Sequence, residues 1–325
     1  MKKAFISGIT GMDGSHLSEY LLSLGYEVHG IMRRHSVSST QDERIAHLDV
    51  HTYYGDLLDQ ASLERILLDV QPDEIYNLAA QSHVRVSFEI PQFTCLTNSI
   101  GVLNILEAYR KCCPHAAFYQ ASSSEMFGSS VDPDGFQRES TAMHPVSPYG
   151  VSKLFGYHMV NNYRDSYNLF ACNGILFNHS GPRRGEAFVE QKICKAAVRI
   201  KVGLQDHLEL GNVHSYRDFG HSRDYVRAMH LMLQQEVPGN YVVAMGETHS
   251  ILDIVTAVFK SLDIPMSKLK TSEFKHTRPN ELDYLKGDSS WIRKLGWVPQ
   301  YTLDSMLNEM IDHWLVFYDA SYNAN

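Results

Sequence analysis

The segment SPYGVSK, residues 147–153, sets Tyr149 and Lys153 four residues apart at the start of a predicted helix. That spacing puts both side chains on one helical face, where a lysine ammonium can stabilise the tyrosine as phenolate. A cation so placed lowers a phenol's pKa from about 10 towards neutrality. A phenolate of this kind takes a proton from an alcohol while hydride leaves the carbinol carbon, provided a hydride acceptor lies alongside. Upstream, the predicted strand AAFYQASS runs into SEMFG, with Ser122, Ser123, Ser124 and Glu125 at its end. A serine beside the phenolate can hydrogen-bond the reacting oxygen, which completes a Ser/Tyr/Lys set. Glu125 is a group that simple alcohol oxidation does not require. A carboxylate there can remove a proton from a carbon made acidic by an adjacent new carbonyl, then protonate a departing hydroxide.

Residues near the N-terminus point to the hydride acceptor. Gly8, Gly11 and Gly14 form G-x-x-G-x-x-G directly after the apolar run AFIS and at the mouth of the first predicted helix. Without side chains, such a turn lets backbone N–H groups and the positive end of the helix approach a pyrophosphate. The second predicted strand ends in GIMRRHS, where Arg33 and Arg34 stand in place of the acidic residue that binds a ribose 2′-hydroxyl. Guanidinium forks match a 2′-phosphate, so NADP is the expected cofactor. Asp56 and Leu57 in YGDLLD, and Ala79 and Ala80 in NLAAQSHV, complete the expected cofactor contacts, with Tyr149 and Lys153 at the nicotinamide end. The Asp56 carboxylate can accept the adenine amino group, and the two alanines let a dinucleotide lie close to the backbone.

The elements that must position these groups follow from periodicity. AFISGI, YEVHGIM, EIYNLAA, AAFYQASS and NLFACNGILFN read as strands, and His16–Leu24, Ala61–Leu68, Asn98–Cys112 and Tyr149–Ser166 as helices between them. This alternation predicts an α/β fold, a doubly wound parallel Rossmann sheet with helices on both faces. Beyond residue 180 the pattern loosens into charged and aromatic segments such as GPRRGEAFVEQKI and LELGNVHSYRDFGHSRDYV. Residues 1–180 are therefore expected to form the cofactor domain, and residues 181–325 mainly a smaller α/β substrate-binding lobe, with some segments returning to the first domain.

Composition restricts the partners. A formal charge of -8 gives no global attraction for nucleic acid, and no stretch approaches the apolar length of a membrane span. Five cysteines, an odd number without a C-x-x-C pair, fit a reducing cytoplasm better than a disulfide framework. The 17 histidines form no H-E-x-x-H or other zinc spacing, so no metal is expected.

The segments GITGMDGSHL, RRHS, LAAQSHV, ASSSEMFG, SPYGVSK, NHSGPRRGEAFV, GNVHSYRDFGHSRDYV, RPNELDYLKGD and LGWVP recur in order over nearly the whole chain. Together they resemble the GDP-mannose 4,6-dehydratase family of extended short-chain dehydrogenases/reductases. The resemblance implies tightly held NADP and an internal redox cycle. Tyr149 with Lys153 would serve oxidation at carbon 4 of the sugar, and Glu125 loss of water across carbons 5 and 6. Ser123 or Ser124 would hold the 4-oxygen, and hydride would return to carbon 6. The family pattern points to Asn178, Lys192, Arg217 and Arg278 for the nucleotide diphosphate, and to Glu281 for a ribose or base hydroxyl. Arg183 and Arg184 resemble a loop that reaches a neighbouring subunit and its NADP, which implies a homo-oligomer, a tetramer or a dimer.

The chain also departs from the family pattern. Ser123 replaces a usual threonine, His-Ser-Gly at 179–181 a usual His-Glu-Ser, and Glu190-Gln191 a usual Thr-Arg. These changes adjoin the expected substrate contacts and leave GDP-N-acetylglucosamine or a GDP-heptose as alternative substrates. An epimerase or reductase on the same scaffold would keep Tyr149 and Lys153 but give Glu125 no task. A non-catalytic NADP-binding protein would need none of the four.

Overall fold

The computed structural model describes residues 1–34, 42–272 and 279–323. The first half runs β1 (Lys3–Ser7), α1 (Met12–Ser23), β2 (Glu27–Met32), β3 (His51–Tyr54), α2 (Gln60–Val70), β4 (Glu74–Asn77), α3 (Val84–Glu89), α4 (Pro91–Cys95), α5 (Gly101–Cys112), β5 (Ala117–Ser123), α6 (Pro148–Tyr167) and β6 (Ala171–Leu176). The second half adds β7 (Asn178–Ser180), α7 (Val189–Lys201), β8 (Leu208–Leu210), β9 (Tyr216–Arg217), β10 (Phe219–His221), α8 (Ser222–Leu233), β11 (Asn240–Val243), β12 (His249–Ser250), α9 (Ile251–Ser261), β13 (Leu269–Thr271), α10 (Ser290–Lys294) and α11 (Leu303–Asn323).

Seven strands form one sheet in the order β11-β6-β5-β4-β1-β2-β3, and every pair is parallel. Because both faces are covered, alternate strand residues enter different cores. On β1, Phe5 packs with Leu63, Ile66, Ile105 and Val160 of α2, α5 and α6. Its neighbours Ala4 and Ile6 pack on the other face with Leu17 and Leu21 of α1 and Val226 and Met229 of α8. The chain runs outward in opposite directions from β1 and β4, so a crevice opens at the carboxyl ends of these two strands, the usual ligand position in such sheets.

Two of the seven strands escape the sequence pattern. His51–Tyr54 is four residues long and largely exposed, so it shows no buried alternation. Asn240–Val243 comes from beyond residue 180 and pairs with β6 at the opposite edge of the sheet. A separate core gathers α7, α9 and α11 with β8, around Ile193, Val255, Phe259, Met306 and Trp314. Among the described residues no helix is long and apolar enough to cross a membrane, and all five cysteines are free.

The start of α6 carries Tyr149, and several local features fix it. Ser147 caps the helix by accepting from Gly150 N at 3.0 Å, and Pro148 occupies the first turn. Tyr149 N donates to Ser87 Oγ at 3.2 Å. A π-helical stretch, Leu96–Ile100, brings in Asn98, which bonds Gln81 on one side and Ser152 Oγ of α6 on the other. Ser147→Ala removes the cap. The expected outcome is a loss of about 1 kcal/mol in unfolding free energy, read by urea denaturation, together with lower turnover because Tyr149 sits in the uncapped turn.

Candidate active site

The glycine turn is built for close approach. Gly8 has φ +72°, and a Cβ there would lie 2.9 Å from the N and Cα atoms of Ala79. A Cβ on Gly14 would meet Gly8 O at 2.3 Å, so the first turn of α1 closes onto the loop only with glycine. Gly11 N donates to Gly8 O at 3.0 Å, and Gly11 is the N-cap of α1 without a side-chain bond of its own. Ser7 Oγ, at the end of β1, accepts from Leu78 N and Ala79 N at 3.1 Å each. It donates in turn to Asn77 Oδ1 at 2.5 Å. The glycine turn and the Leu78–Ala80 loop are thus locked together across the β1–β4 crevice.

Other expected cofactor contacts fall along the same edge. Arg33 and Arg34 are exposed just after β2. Asp56 is half-buried and accepts from Leu58 N at 2.9 Å. The Leu57 side chain is buried against Gly101, and its carbonyl accepts from Asn104 at 2.8 Å.

A cavity of about 730 Å³ lies beyond the crevice. Ala80, Ser123, Ser124, Glu125, Tyr149, Lys153 and Arg184 line one part, and Asn178, Lys192, Arg217 and Glu281 another. Arg278 lies outside the described residues. The reacting end forms where the short turn Ser124–Met126 meets α6. Ser123 Oγ accepts from Glu125 N at 3.2 Å, and Ser123 also hydrogen-bonds Tyr149. Gly150 makes the contact possible, since a Cβ there would meet Glu125 O at 2.7 Å. Ser122, by contrast, is directed away to Asn173 Oδ1 at 3.1 Å.

Burial dominates the electrostatics of both Tyr149 and Lys153. Burial pushes the Tyr149 phenol up to about 12, with Glu125 and Asp13 acting in the same direction and Ser123 and Arg184 opposing them. Burial also pushes Lys153 down to about 8, opposed by the charge of Asp13. Lys153 Nζ donates to Ala121 O at 2.8 Å and lies 5.7 Å from the Tyr149 ring centroid. Burial of the two groups thus favours the neutral phenol and the neutral amine.

At the other end, Arg217 is buried and pairs with Glu281 at 3.1 Å. Burial lowers Lys192 from its ordinary value, while Glu209 raises it and Arg85 lowers it further. Asn178 begins β7, alongside Phe219 of β10.

A sequence model of the GDP-mannose 4,6 dehydratase family matches residues 5–310. GDP-mannose 4,6 dehydratase 1 of Arabidopsis thaliana is 46% identical to this chain over 99% of it and 94% of the relative. The Homo sapiens GDP-mannose 4,6 dehydratase is 42% identical over 95% and 90%. This chain belongs to the GDP-mannose 4,6-dehydratase family. Its fold also superposes on the dTDP-glucose 4,6-dehydratase of Streptomyces venezuelae, solved with NAD bound, with a TM-score of 0.86 at 22% identity, covering 98% of each chain.

Three cavity residues of this family member, Asp13, Phe188 and Glu190, were not singled out as site residues from sequence, whereas Arg184, which two of them touch, was. Asp13, within the glycine turn, is bonded to His179 Nε2 at 2.9 Å. Arg184 stacks on Phe188 at 3.5 Å and faces Glu190 at 3.4 Å. The signal for Asp13 was a charged residue inside a turn that needs only glycines, and Glu190 was visible as a departure from the family pattern. Arg183 folds onto α1 of its own chain, bonding Ser15 Oγ at 3.1 Å and pairing with Glu19.

The depressed Lys153 pKa has a consequence for stability. Between pH 8 and the ordinary 10.5, the unfolded chain holds this proton and the folded chain does not, so the burial penalty is largest below pH 8 and fades as pH rises. Lys153→Met removes that penalty. The variant is expected to gain unfolding free energy over the wild type at pH 7, with the gain shrinking towards pH 10.5. A difference independent of pH would contradict the assignment.

Proposed function

We infer that this chain removes water from GDP-mannose to give GDP-4-keto-6-deoxymannose, a hydro-lyase reaction run by an internal redox cycle on NADP. The observation that carries this reading is the contact of the Glu125 turn with Tyr149 and Ser123 in a cavity that Asn178, Lys192, Arg217 and Glu281 also line. Besides a hydride acceptor, oxidation at carbon 4 needs only the hydroxyls and a cation from the chain. A carboxylate at the same end supplies the acid/base group that elimination requires. The volume lies within the usual range for small-molecule sites, about 300–1,000 Å³.

The chain's residues fit a dinucleotide. The glycine cradle would be filled by any Cβ, and the uncapped start of α1 offers free N–H groups to a pyrophosphate. Gly8, Gly11, Gly14, Ala79 and Ala80 would hold it along the backbone, with Asp56 and the Leu57 backbone at the adenine end. The exposed Arg33 and Arg34 support a 2′-phosphate, hence NADP rather than NAD. A dinucleotide held there would supply the acceptor for the carbon 4 hydride and its return to carbon 6.

Tyr149 takes the proton of the sugar 4-hydroxyl. Because burial favours the neutral phenol, this needs positive charge nearby, which Lys153 and Arg184 supply from the cavity wall. Ser123 or Ser124 holds the resulting 4-oxygen. Glu125 removes the carbon 5 proton, now acidic beside the carbonyl, and passes it to the 6-hydroxyl, which leaves as water. Carbon 5 takes a proton from solvent as hydride reaches carbon 6, and Tyr149 releases to solvent the one it took from the 4-hydroxyl, so the substrate loses one water with no net oxidation. Asn178, with Lys192 and Arg217 in the lobe after residue 180, binds the diphosphate, and Glu281 a ribose or base hydroxyl.

The chain acts as a homo-oligomer in a reducing, cytoplasmic setting. Ile90, Phe93, Leu96 and Ile100 on one helical run, with Val151 and Phe155 on α6, are each 38–52% exposed, and this apolar stripe supports self-association. The five free thiols support the compartment.

Purified holoenzyme given GDP-mannose and no reductant is expected to yield a 4-keto-6-deoxy sugar one water lighter, identified by mass spectrometry and NMR. Glu125→Gln is expected to lower that turnover about 10²–10⁴-fold. A C-4 epimer or reduced sugar as the product, or full dehydration by the variant, would overturn the reading.

A further inference from the structure

The cavity wall carries a second carboxylate that the proposed cycle does not use. Glu190 lies in the first turn of α7, two residues before Lys192, with only 3% of its surface exposed. Its Oε1 stands 3.4 Å from Arg184 Nε, yet that Nε makes no hydrogen bond. Among the described residues no donor hydrogen-bonds either oxygen of Glu190. The start of a helix favours negative charge there, and the guanidinium adds attraction without giving a hydrogen. A carboxylate so withdrawn from water still needs donors, because an unpaired buried charge is costly.

Arg184 is held off by its own neighbours. Its guanidinium lies on the Phe188 ring, 3.5 Å from the centroid. That ring packs in turn against His83, whose ring centroid is 5.2 Å away and whose Nε2 faces the Ala187 carbonyl at 3.4 Å. Phe188 O accepts from Lys192 N at 2.8 Å, so the loop and the first turn of α7 form one wall. The donors that Glu190 lacks therefore come from what fills the cavity.

Position determines which donors these are. Glu190 stands between Arg184, in the part of the wall with Tyr149 and Glu125, and Lys192, at the diphosphate end. A hexose spanning those ends has carbon 4 at Tyr149 and carbon 1 towards the diphosphate. Two edges of the ring join these carbons. The edge through carbon 5 is where Glu125 acts, and the edge through carbons 3 and 2 carries two hydroxyls, each a donor. We propose that Glu190 is a specificity-determining residue that accepts a hydrogen bond from the 2- or 3-hydroxyl of the hexose, so the site selects nucleotide hexoses that carry a hydroxyl on that edge. The role rests on the reading of Tyr149 and Glu125 as the reacting groups.

The test is a cycle between residue and substrate, run on purified holoenzyme with GDP-mannose and its 2-deoxy and 3-deoxy analogues. For the wild type, kcat/KM is expected to fall about 10–10²-fold with one of the two analogues, the loss of a hydrogen bond to a charged group. Glu190→Ala is expected to lose as much on GDP-mannose and then to be indifferent to the same missing hydroxyl, since both changes remove one interaction. Glu190→Gln keeps an accepting oxygen and is expected to retain part of the preference; should Glu190→Ala fail to fold, it is read in the same cycle. Affinity for GDP alone, measured by calorimetry, is expected to be equal in all three proteins, which a collapsed loop would not allow. Equal turnover of GDP-mannose and both analogues by the wild type overturns the proposal. So do losses from variant and analogue that simply multiply, or a GDP affinity that falls as far as that for GDP-mannose. A product other than the 4-keto-6-deoxy sugar, with the cycle intact, faults the assigned reaction and not Glu190.

Discussion

The reacting end of this site depends on one backbone contact, the first turn of α6 lying against the turn that carries Glu125. With no side chain at Gly150, the helix approaches until a Cβ would fall 2.7 Å from the Glu125 carbonyl. That closeness lets the hydroxyl at the end of β5 meet Tyr149 and puts a carboxylate on the same cavity wall. The cap from Ser147, the Ser87 bond to Tyr149 N and the Asn98 clamp hold the helix in that position. Chemistry that needs a phenol, a hydroxyl and a carboxylate within one substrate's reach becomes possible because two backbone segments touch.

Charge is balanced across the cavity more than within any single pair. Burial drives both Tyr149 and Lys153 towards their neutral forms. The fixed groups around them, Asp13 with His179 on one side and Arg184 with Phe188 and Glu190 on the other, bias each proton. None of these five supporting positions is adjacent in sequence to Tyr149 or Lys153. A buried site of this kind is tuned by its walls, since low local polarity lets each fixed charge act at longer range than it would in water.

What could be read in the sequence was what is local. The glycine turn, the Tyr149–Lys153 spacing and the alternation of strands and helices each occupy a short window, and each has a geometric consequence that does not depend on the rest of the chain. The family resemblance added the expected nucleotide contacts, of which Asn178, Lys192, Arg217 and Glu281 line one cavity. Long-range features did not show. The bond between Asp13 and His179 spans 166 residues, the edge strand His51–Tyr54 is too short and exposed to alternate, and the Leu57 side chain is buried against Gly101. The Tyr149 phenol's upward shift was likewise invisible, because burial is a property of the assembled fold and no spacing rule carries it.

The central claim is that one hydride leaves carbon 4 of a sugar and returns to carbon 6 of the same molecule inside this cavity. Turnover of GDP-mannose deuterated at carbon 4, mixed with unlabelled substrate, tests it directly. The account predicts product carrying the deuterium at carbon 6 with no crossover between molecules, and a solvent-derived hydrogen at carbon 5. Deuterium lost to the medium, spread between labelled and unlabelled molecules, or still at carbon 4 would contradict it.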